Sequence, residues 1–338
     1  MSYGRKLDFV AGGLSRLLHV RGARENTLAD LTHYYDLPAD TMFPAPTTLP
    51  QMQATRGLVA RVLGTTTLSW ASHHVALSER YQRRHERDYA PNHTAWARWL
   101  RPDGRHRKTC LVYVHGWLEP GSWLEETTLF RLWQRQLDVD IVHLALPFHG
   151  RRMPDGSLFS GELFWTADLV RSMEGVRQAV FDARSLVAWL RAEGYERVGV
   201  TGLSLGGSLT MLLATLAPTP DFIIPIIAHL RLAEVLEDAP IMWRVKSDLE
   251  AWGAGRHARA EIFRRLGLSS YAPRLAPERQ LWIEAEDDVY INAQLVREQW
   301  RAWGTPPIHW VSGGHMTLPF HIPAFTKRID AFLSGVPR

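Results

Sequence analysis

Cysteine is almost missing from this chain: one residue, Cys110, in 338. A single thiol excludes an internal disulfide framework and fits a reducing compartment. Cys110 opens an apolar run, so it reads as a small buried hydrophobe rather than a reactive thiol. Long apolar runs are missing too. No stretch approaches the ~20 residues of a membrane span. The longest candidate, Phe222 to Ala228, is strand-sized and contains Pro225. A secretory pattern is lacking, because Arg5, Lys6 and Asp8 lead into a mixed segment with no small-residue cleavage site. A cytoplasmic location is the expectation. Neither charge dominates: 39 Lys and Arg stand against 35 Asp and Glu, and the net charge is +4. The two signs are intermixed, so no basic stripe exists and no nucleic-acid partner is expected. His73, His74, His85 and His93 lack metal-ligand spacing, and no metal site is expected. Internal repeats and low-complexity tracts are absent.

What is present is an ordinary globular composition, 46% apolar, with an unusual fourteen tryptophans. The length suits one large α/β domain with insertions, or two average domains. Residues 1–60 read as a helical N-terminal extension. Leu7, Val10, Leu14, Leu17 and Leu18 have helical spacing, and Thr27 to Tyr35 suggests a second helix. Packing of the first helix on the catalytic domain is favoured over contact with a membrane surface, because the segment has few lysines and a Gly12-Gly13 pair. Four prolines between residues 37 and 50 exclude regular structure there.

Residues 61–338 read as the main domain. Val62 to Trp70, His85 to Tyr89 and Thr94 to Leu100 suggest antiparallel strands, with a turn at Arg101-Pro102-Asp103-Gly104. After Cys110, apolar strands alternate with helices. A helix is expected from Ser122 to Leu137, a strand over Val139 to Leu146 and a long helix from Trp165 to Leu190. That alternation means a mostly parallel sheet with helices on both faces. Residues 229–276 are helical and polar-rich between two strands, and they read as a helical cap insertion. Strands over Gln280–Glu286 and Pro307–Val311 and a final helix from Pro323 to Leu333 close the pattern.

The most informative stretch is residues 197–218, which reads as strand, turn and helix around Gly202-Leu203-Ser204-Leu205-Gly206. Gly-x-Ser-x-Gly at a strand-to-helix corner forces the serine into a strained conformation with its hydroxyl held out of the sheet. A serine hydroxyl is a weak nucleophile at neutral pH. It needs a base beside it and a third group to orient that base.

This chain resembles the α/β-hydrolases. The resemblance covers roughly residues 85 to 334, and it implies Ser204 as nucleophile, then an acid, then a histidine, each at a strand's C-terminal end. Residues Ala285 to Ile291 fit the acid register with Asp288, and Asp287 is the runner-up. Gly313-Gly314-His315 matches the Gly-rich loop of the base, with His321 as the rival. The oxyanion donors it implies are the backbone N–H groups of Leu205 and Trp117. The histidine of His115-Gly116-Trp117 is read as structural, holding its loop. His149, Arg151 and Arg152 could meet an anionic group, but local ion pairs are the favoured reading. The stretches LLHVRGARENTLADL and GVTGLSLGGSLTMLLATLAP are similar to the family called α/β-hydrolase domain-containing protein 18.

The implied reaction is acyl transfer, and it needs no cofactor. The leading expectation is a serine hydrolase acting on a carboxylic ester, lipid-like if Trp117, Trp123, Phe148, Phe159 and Trp165 form an aromatic wall. An amidase, peptidase or thioesterase of the same fold is the alternative. A catalytically silent binding protein is the reading from another class.

Overall fold

A computed structural model of the chain describes residues 2–57, 64–101 and 107–336. The first residues of the strand expected from Val62, the 60/61 boundary and the turn beyond Arg101 lie outside the described residues. Among the described residues nine strands form one sheet. They are β1 (Gln53–Thr55), β2 (Thr65–Ala71), β3 (Thr94–Leu100), β4 (Thr109–Val114), β5 (Asp140–Ala145), β6 (Arg197–Leu203), β7 (Phe222–Ile226), β8 (Trp282–Ala285) and β9 (Ile308–Val311). Their spatial order is β1-β2-β3-β5-β4-β6-β7-β8-β9. β1, β2, β3 and β5 pair antiparallel. From β5 through β4 to β9 every pairing is parallel. The sheet is the mostly parallel one that the strand–helix alternation implied, and the architecture is the α/β-hydrolase fold that the resemblance implied.

Apart from a single turn at Ala39–Met42, the α-helices are α1 (Tyr3–Leu14), α2 (Glu79–Asp88), α3 (Trp123–Thr127), α4 (Leu129–Gln136), α5 (Leu169–Ala192), α6 (Leu205–Ala214), α7 (Leu232–Asp238), α8 (Trp243–Ala251), α9 (Arg256–Leu266), α10 (Ala293–Ala302) and α11 (Ile322–Gly335). The period-2 alternation of the strands sorts side chains into two cores. Cys110, Val112 and Val114 of β4 join the core under α5 and α6. Leu111 and Tyr113 point the other way, to Phe130 and Trp133 of α4 and Ile329 of α11. Among the described residues no helix is long and apolar enough to cross a membrane.

Two local expectations are corrected. His85 to Tyr89 is not a strand; its first four residues lie in α2. Ser78 caps that helix by accepting the Tyr81 N–H at 3.2 Å, and Glu79 stands in the first turn. Both are helix-start signals that the β-like run of aromatics concealed. The helix expected over Ser122 to Leu137 breaks at Thr128, whose φ of −115° and ψ of −82° are not helical.

α5 is buried along almost its whole length, and its polar residues explain how. The segment from residue 28 to residue 43 covers its outer side. Arg177 Nε donates to the Met42 carbonyl at 2.7 Å, and Arg184 Nη1 to that of Phe43 at 2.7 Å. The Pro-rich chain therefore has its backbone acceptors met by a helix rather than by a sheet. Glu174, fully buried, is the centre of this seam. It accepts from Tyr34 Oη at 2.6 Å and from the Leu77 N–H at 2.8 Å. It pairs with Arg177 at 2.6 Å and His74 at 2.8 Å. Burial alone pushes its carboxyl up, but bonds from His74, Arg177 and Tyr34 outweigh it and hold the group at about 2, against an ordinary 4.5. A depressed carboxylate stabilises the fold above its unfolded pKa. That contribution is lost as pH falls from about 4.5 towards about 2. Glu174→Ala strands Arg177 in the interior and is expected to cost about 3–5 kcal/mol. Urea unfolding followed by tryptophan fluorescence checks this, and a loss below about 1 kcal/mol would show that the seam is not structural.

Candidate active site

β6 ends at Leu203 and α6 starts at Leu205, so Ser204 alone makes the corner. Its φ is +55° and its ψ −112°, a region that a residue with a Cβ rarely occupies. The corner is tight because helix and strands touch through backbone. A Cβ on Gly206 would lie 1.9 Å from the Val114 carbonyl oxygen, and one on Gly202 would lie 2.4 Å from the Gly206 carbonyl carbon. The Ser204 N–H donates to the Ile226 carbonyl at 2.9 Å, which ties the elbow to β7. Among the described residues the Ser204 hydroxyl makes no hydrogen bond, and it stands in the wall of a cavity with His315.

His315 follows β9 and Asp288 follows β8. The His315 Nδ1 lies 2.7 Å from Asp288 Oδ2. The other oxygen, Oδ1, accepts the N–H groups of Tyr290 at 2.7 Å and Ile291 at 2.8 Å. The acid is thereby held by its own turn and has one oxygen left for the imidazole. Burial lowers the His315 pKa, but the charge and hydrogen bond of Asp288, with a further contribution from Asp8, outweigh burial and raise it above 6.5. Of the two neighbouring acids, Asp288 is the one that reaches the histidine. Asp287 gives only its backbone N–H, to Gly313 O at 2.8 Å. His321 ends the 3-10 turn that His315 begins, and it does not line the cavity.

Leu205 is the first residue of α6, so its N–H has no intrahelical acceptor and points where the helix dipole is positive. Gly116, Trp117 and Leu118 follow β4 and line the same cavity. The Trp117 side chain is fixed, with Nε1 donating to Gly161 O at 2.8 Å. His115 holds this loop from below. Its Nε2 accepts the Leu146 N–H at 3.0 Å, which leaves Nδ1 to donate to Gly116 O at 2.8 Å. Burial lowers its pKa, so the neutral ring that this arrangement requires is the favoured one.

In the post-strand loop the three basic residues make contacts within the protein. Arg152 is fully buried and pairs with Asp182 at 2.8 Å. His149 is buried with Nδ1 2.8 Å from Pro147 O. Arg151 lies over the Trp96 ring at 5.3 Å. The aromatic wall is also built largely from other residues than expected. Trp117 and Trp165 line the cavity. Phe148 is core, Trp123 is exposed, and Phe159 packs on His19. The cavity, about 1090 Å³ in volume, is apolar, with Leu203, Ile227 and Val235 beside the rings of Tyr113, Phe263 and Phe325 among its lining residues.

The first helix differs most from its expected packing. The leucines that marked its period do not face the domain: Leu14 and Leu17 are 59% and 75% exposed. With Leu18, Met316 and Phe320 they rim the cavity mouth. The buried stripe is Gly4, Asp8 and Gly12, spaced four apart along one face. Asp8, which sequence reasoning passed over, accepts hydrogen bonds from the backbone of both loops that carry the acid and the histidine. The Gly-x-x-x-Asp-x-x-x-Gly spacing was its only signal.

Comparison with known proteins agrees with this geometry. Residues 93–241 match the family model described as alpha/beta hydrolase domain containing 18. Uncharacterised proteins from two strains of Mycobacterium tuberculosis are 30% identical over 253 residues, covering 67% of this chain and 56% of theirs. The match thus spans little more than half the length of those relatives. In fold, the chain is similar to an acetyl xylan esterase from Paenibacillus sp. R4, with a TM-score of 0.61 at 14% identity over 94% of this chain and 98% of that one. An acetyl xylan esterase from a Thermoanaerobacterium species follows at 0.56, 14% identical over 92% and 98%. A cold-adapted esterase from an Arctic intertidal metagenomic library gives 0.51, 14% identical over 82% and 97%. On its strand order and on these likenesses, the chain is an α/β-hydrolase-fold protein that resembles the domain-containing-18 family across its central strands and nucleophile elbow.

Proposed function

We propose that the protein is a serine hydrolase that cleaves carboxylic esters with an apolar acyl group. The observation that supports this most is the meeting of Ser204 at a strained elbow and a His315–Asp288 pair at 2.7 Å on one apolar cavity. In the reaction, Ser204 Oγ attacks the ester carbonyl carbon as His315 Nε2 takes its proton. Asp288 keeps the proton on Nδ1 and stabilises the imidazolium. The N–H groups of Leu205 and Trp117 receive the charge that builds on the carbonyl oxygen. Collapse of the intermediate expels the alcohol, which takes the proton back from Nε2. Water then repeats the sequence on the acyl-enzyme.

The cavity gives the acyl preference. Each methylene removed from water adds about 0.8 kcal/mol, so kcat/KM for p-nitrophenyl esters is expected to rise by up to about fourfold per added methylene from acetate to octanoate. A series that peaks at acetate would contradict an apolar acyl site, whatever the serine does.

A further inference from the structure

We infer that Asp8 is a positioning residue for the Ser204 reaction, clamping the loop of the acid to the loop of the base so that His315 is held where it works. The inference rests on the serine-hydrolase reading above.

The contacts are specific. The Asp8 carboxylate is fully buried. Its Oδ2 accepts the N–H of Val289 at 3.1 Å and of His315 at 2.9 Å. Its Oδ1 accepts the N–H of Met316 at 2.9 Å. The Asp8 carbonyl also accepts from Tyr290 Oη at 2.8 Å. Val289 follows the acid directly, and His315 is the base. One side chain from α1 therefore touches both loops at the residues that matter, across 281 and 307 positions of sequence. No cation pairs with it among the described residues, so three amide dipoles carry its charge.

Burying an unpaired carboxylate in the middle of a helix is costly, and structural packing alone would use an apolar residue. The neighbourhood is built for its reach. Asp has a short side chain, so the helix must come to backbone contact. A Cβ on Gly4 would sit 2.3 Å from Gly314 N, and one on Gly314 would sit 2.5 Å from Asp8 Oδ2. The ionisable groups facing His315 are Asp288 from the acid loop, Asp8 from α1 and the Tyr290 ring at 4.8 Å. Asp8 thus contributes negative charge as well as geometry to the histidine.

The test uses the full chain carrying Asp8→Asn, Asp8→Ala, Gly4→Ala or Gly13→Ala. Gly13 is exposed with nothing near its Cβ direction. Labelling of Ser204 by a fluorophosphonate, kcat and KM for a p-nitrophenyl ester against pH, and thermal melts are measured on each. Misplacing a catalytic group by an ångström costs up to about 100-fold. The expected result is a kcat loss of about 10-fold for Asp8→Asn and about 100-fold for Asp8→Ala, with KM within about threefold. The acid limb of kcat/KM moves to lower pH in both, because an anion that favours imidazolium is gone. Gly4→Ala, which lifts the helix but keeps the carboxylate, lowers kcat too, and Gly13→Ala matches wild type. If the Asp8 variants do not fold, Gly4→Ala decides. Wild type that labels, with folded Asp8 or Gly4 variants that keep wild-type kcat and an unmoved acid limb, overturns the role of Asp8 alone. Wild type that does not label overturns the serine-hydrolase reading, and this role with it.

Discussion

Ser204→Ala is expected to lower kcat for an ester substrate by about 10⁴- to 10⁶-fold and to leave the protein folded. Both halves follow from the elbow. The hydroxyl has no hydrogen-bond partner among the described residues, so its removal breaks nothing that holds the fold. The Cβ that makes φ of +55° unfavourable is kept. The melting temperature should therefore move little, and the activity loss is chemical. What remains after the substitution is rate enhancement from Leu205, Trp117 and the cavity, which bind the carbonyl without a nucleophile. An activity that survives Ser204→Ala unchanged would belong to other residues. A cavity ligand that still binds in that case would favour a binding protein with the fold of an enzyme.

Asp288→Asn is expected to cost about 10⁴-fold in kcat, whereas Asp287→Asn stays within about threefold of wild type. Asp288 has every acceptor engaged, two backbone N–H groups on Oδ1 and the His315 ring on Oδ2. Asparagine can present an oxygen to only one of these sides. If its NH₂ faces His315, Nδ1 becomes an acceptor and the proton moves to Nε2, where it blocks uptake of the serine proton. If the oxygen faces His315, the NH₂ opposes the Tyr290 and Ile291 donors. The pH profile separates charge from geometry. His315 must be neutral to act, so kcat/KM falls on the acid side through its pKa. That pKa is raised now because Asp288 outweighs burial. In the asparagine variant burial dominates, and the acid limb shifts to lower pH. A limb that stays in place would show that another group sets it. Activity lost equally in Asp287→Asn would return the acid assignment to that residue.

The fold was legible wherever one period ruled. β4 and the elbow helix could be read directly, because Cys110 to Val114 is an unbroken buried-type run and apolar residues dominate from Ser208 to Leu216. The order and loop registers that the resemblance implies narrowed the acid to two neighbours and the base to two histidines. The choice between Asp288 and Asp287 needed coordinates, since both stand in the same loop and only a contact to His315 separates them. The errors came where packing reversed the usual meaning of a residue type. Over residues 3–18, Leu14, Leu17 and Leu18 are at the cavity mouth, and Gly4, Asp8 and Gly12 are inside. Arg152 makes the local ion pair that was its favoured reading, whereas Arg177 and Arg184, which no sequence signal singled out, serve a buried carboxylate and buried carbonyls. The link from Asp8 to His315 shows in the sequence only as the glycine spacing around Asp8, which does not name the partner.

That link also sets a timetable. Tyr34 waits for Glu174 across 140 residues, and Asp8 waits for Met316 across 308. At ~5–20 residues per second, synthesis separates the first pair by about 7–28 s and the second by about 15–60 s. Until Pro240 and Ile241 are made α1 has none of its partners to rest on, its contacts with the His315 loop come only at the end, and a 12-residue helix is marginal alone. Limited proteolysis of chains stalled before Pro240 should cut within residues 3–14, and protection there would show an earlier partner. On this schedule the sheet is made in the nascent chain, and chemical competence arrives only when one of its oldest segments closes on one of its newest.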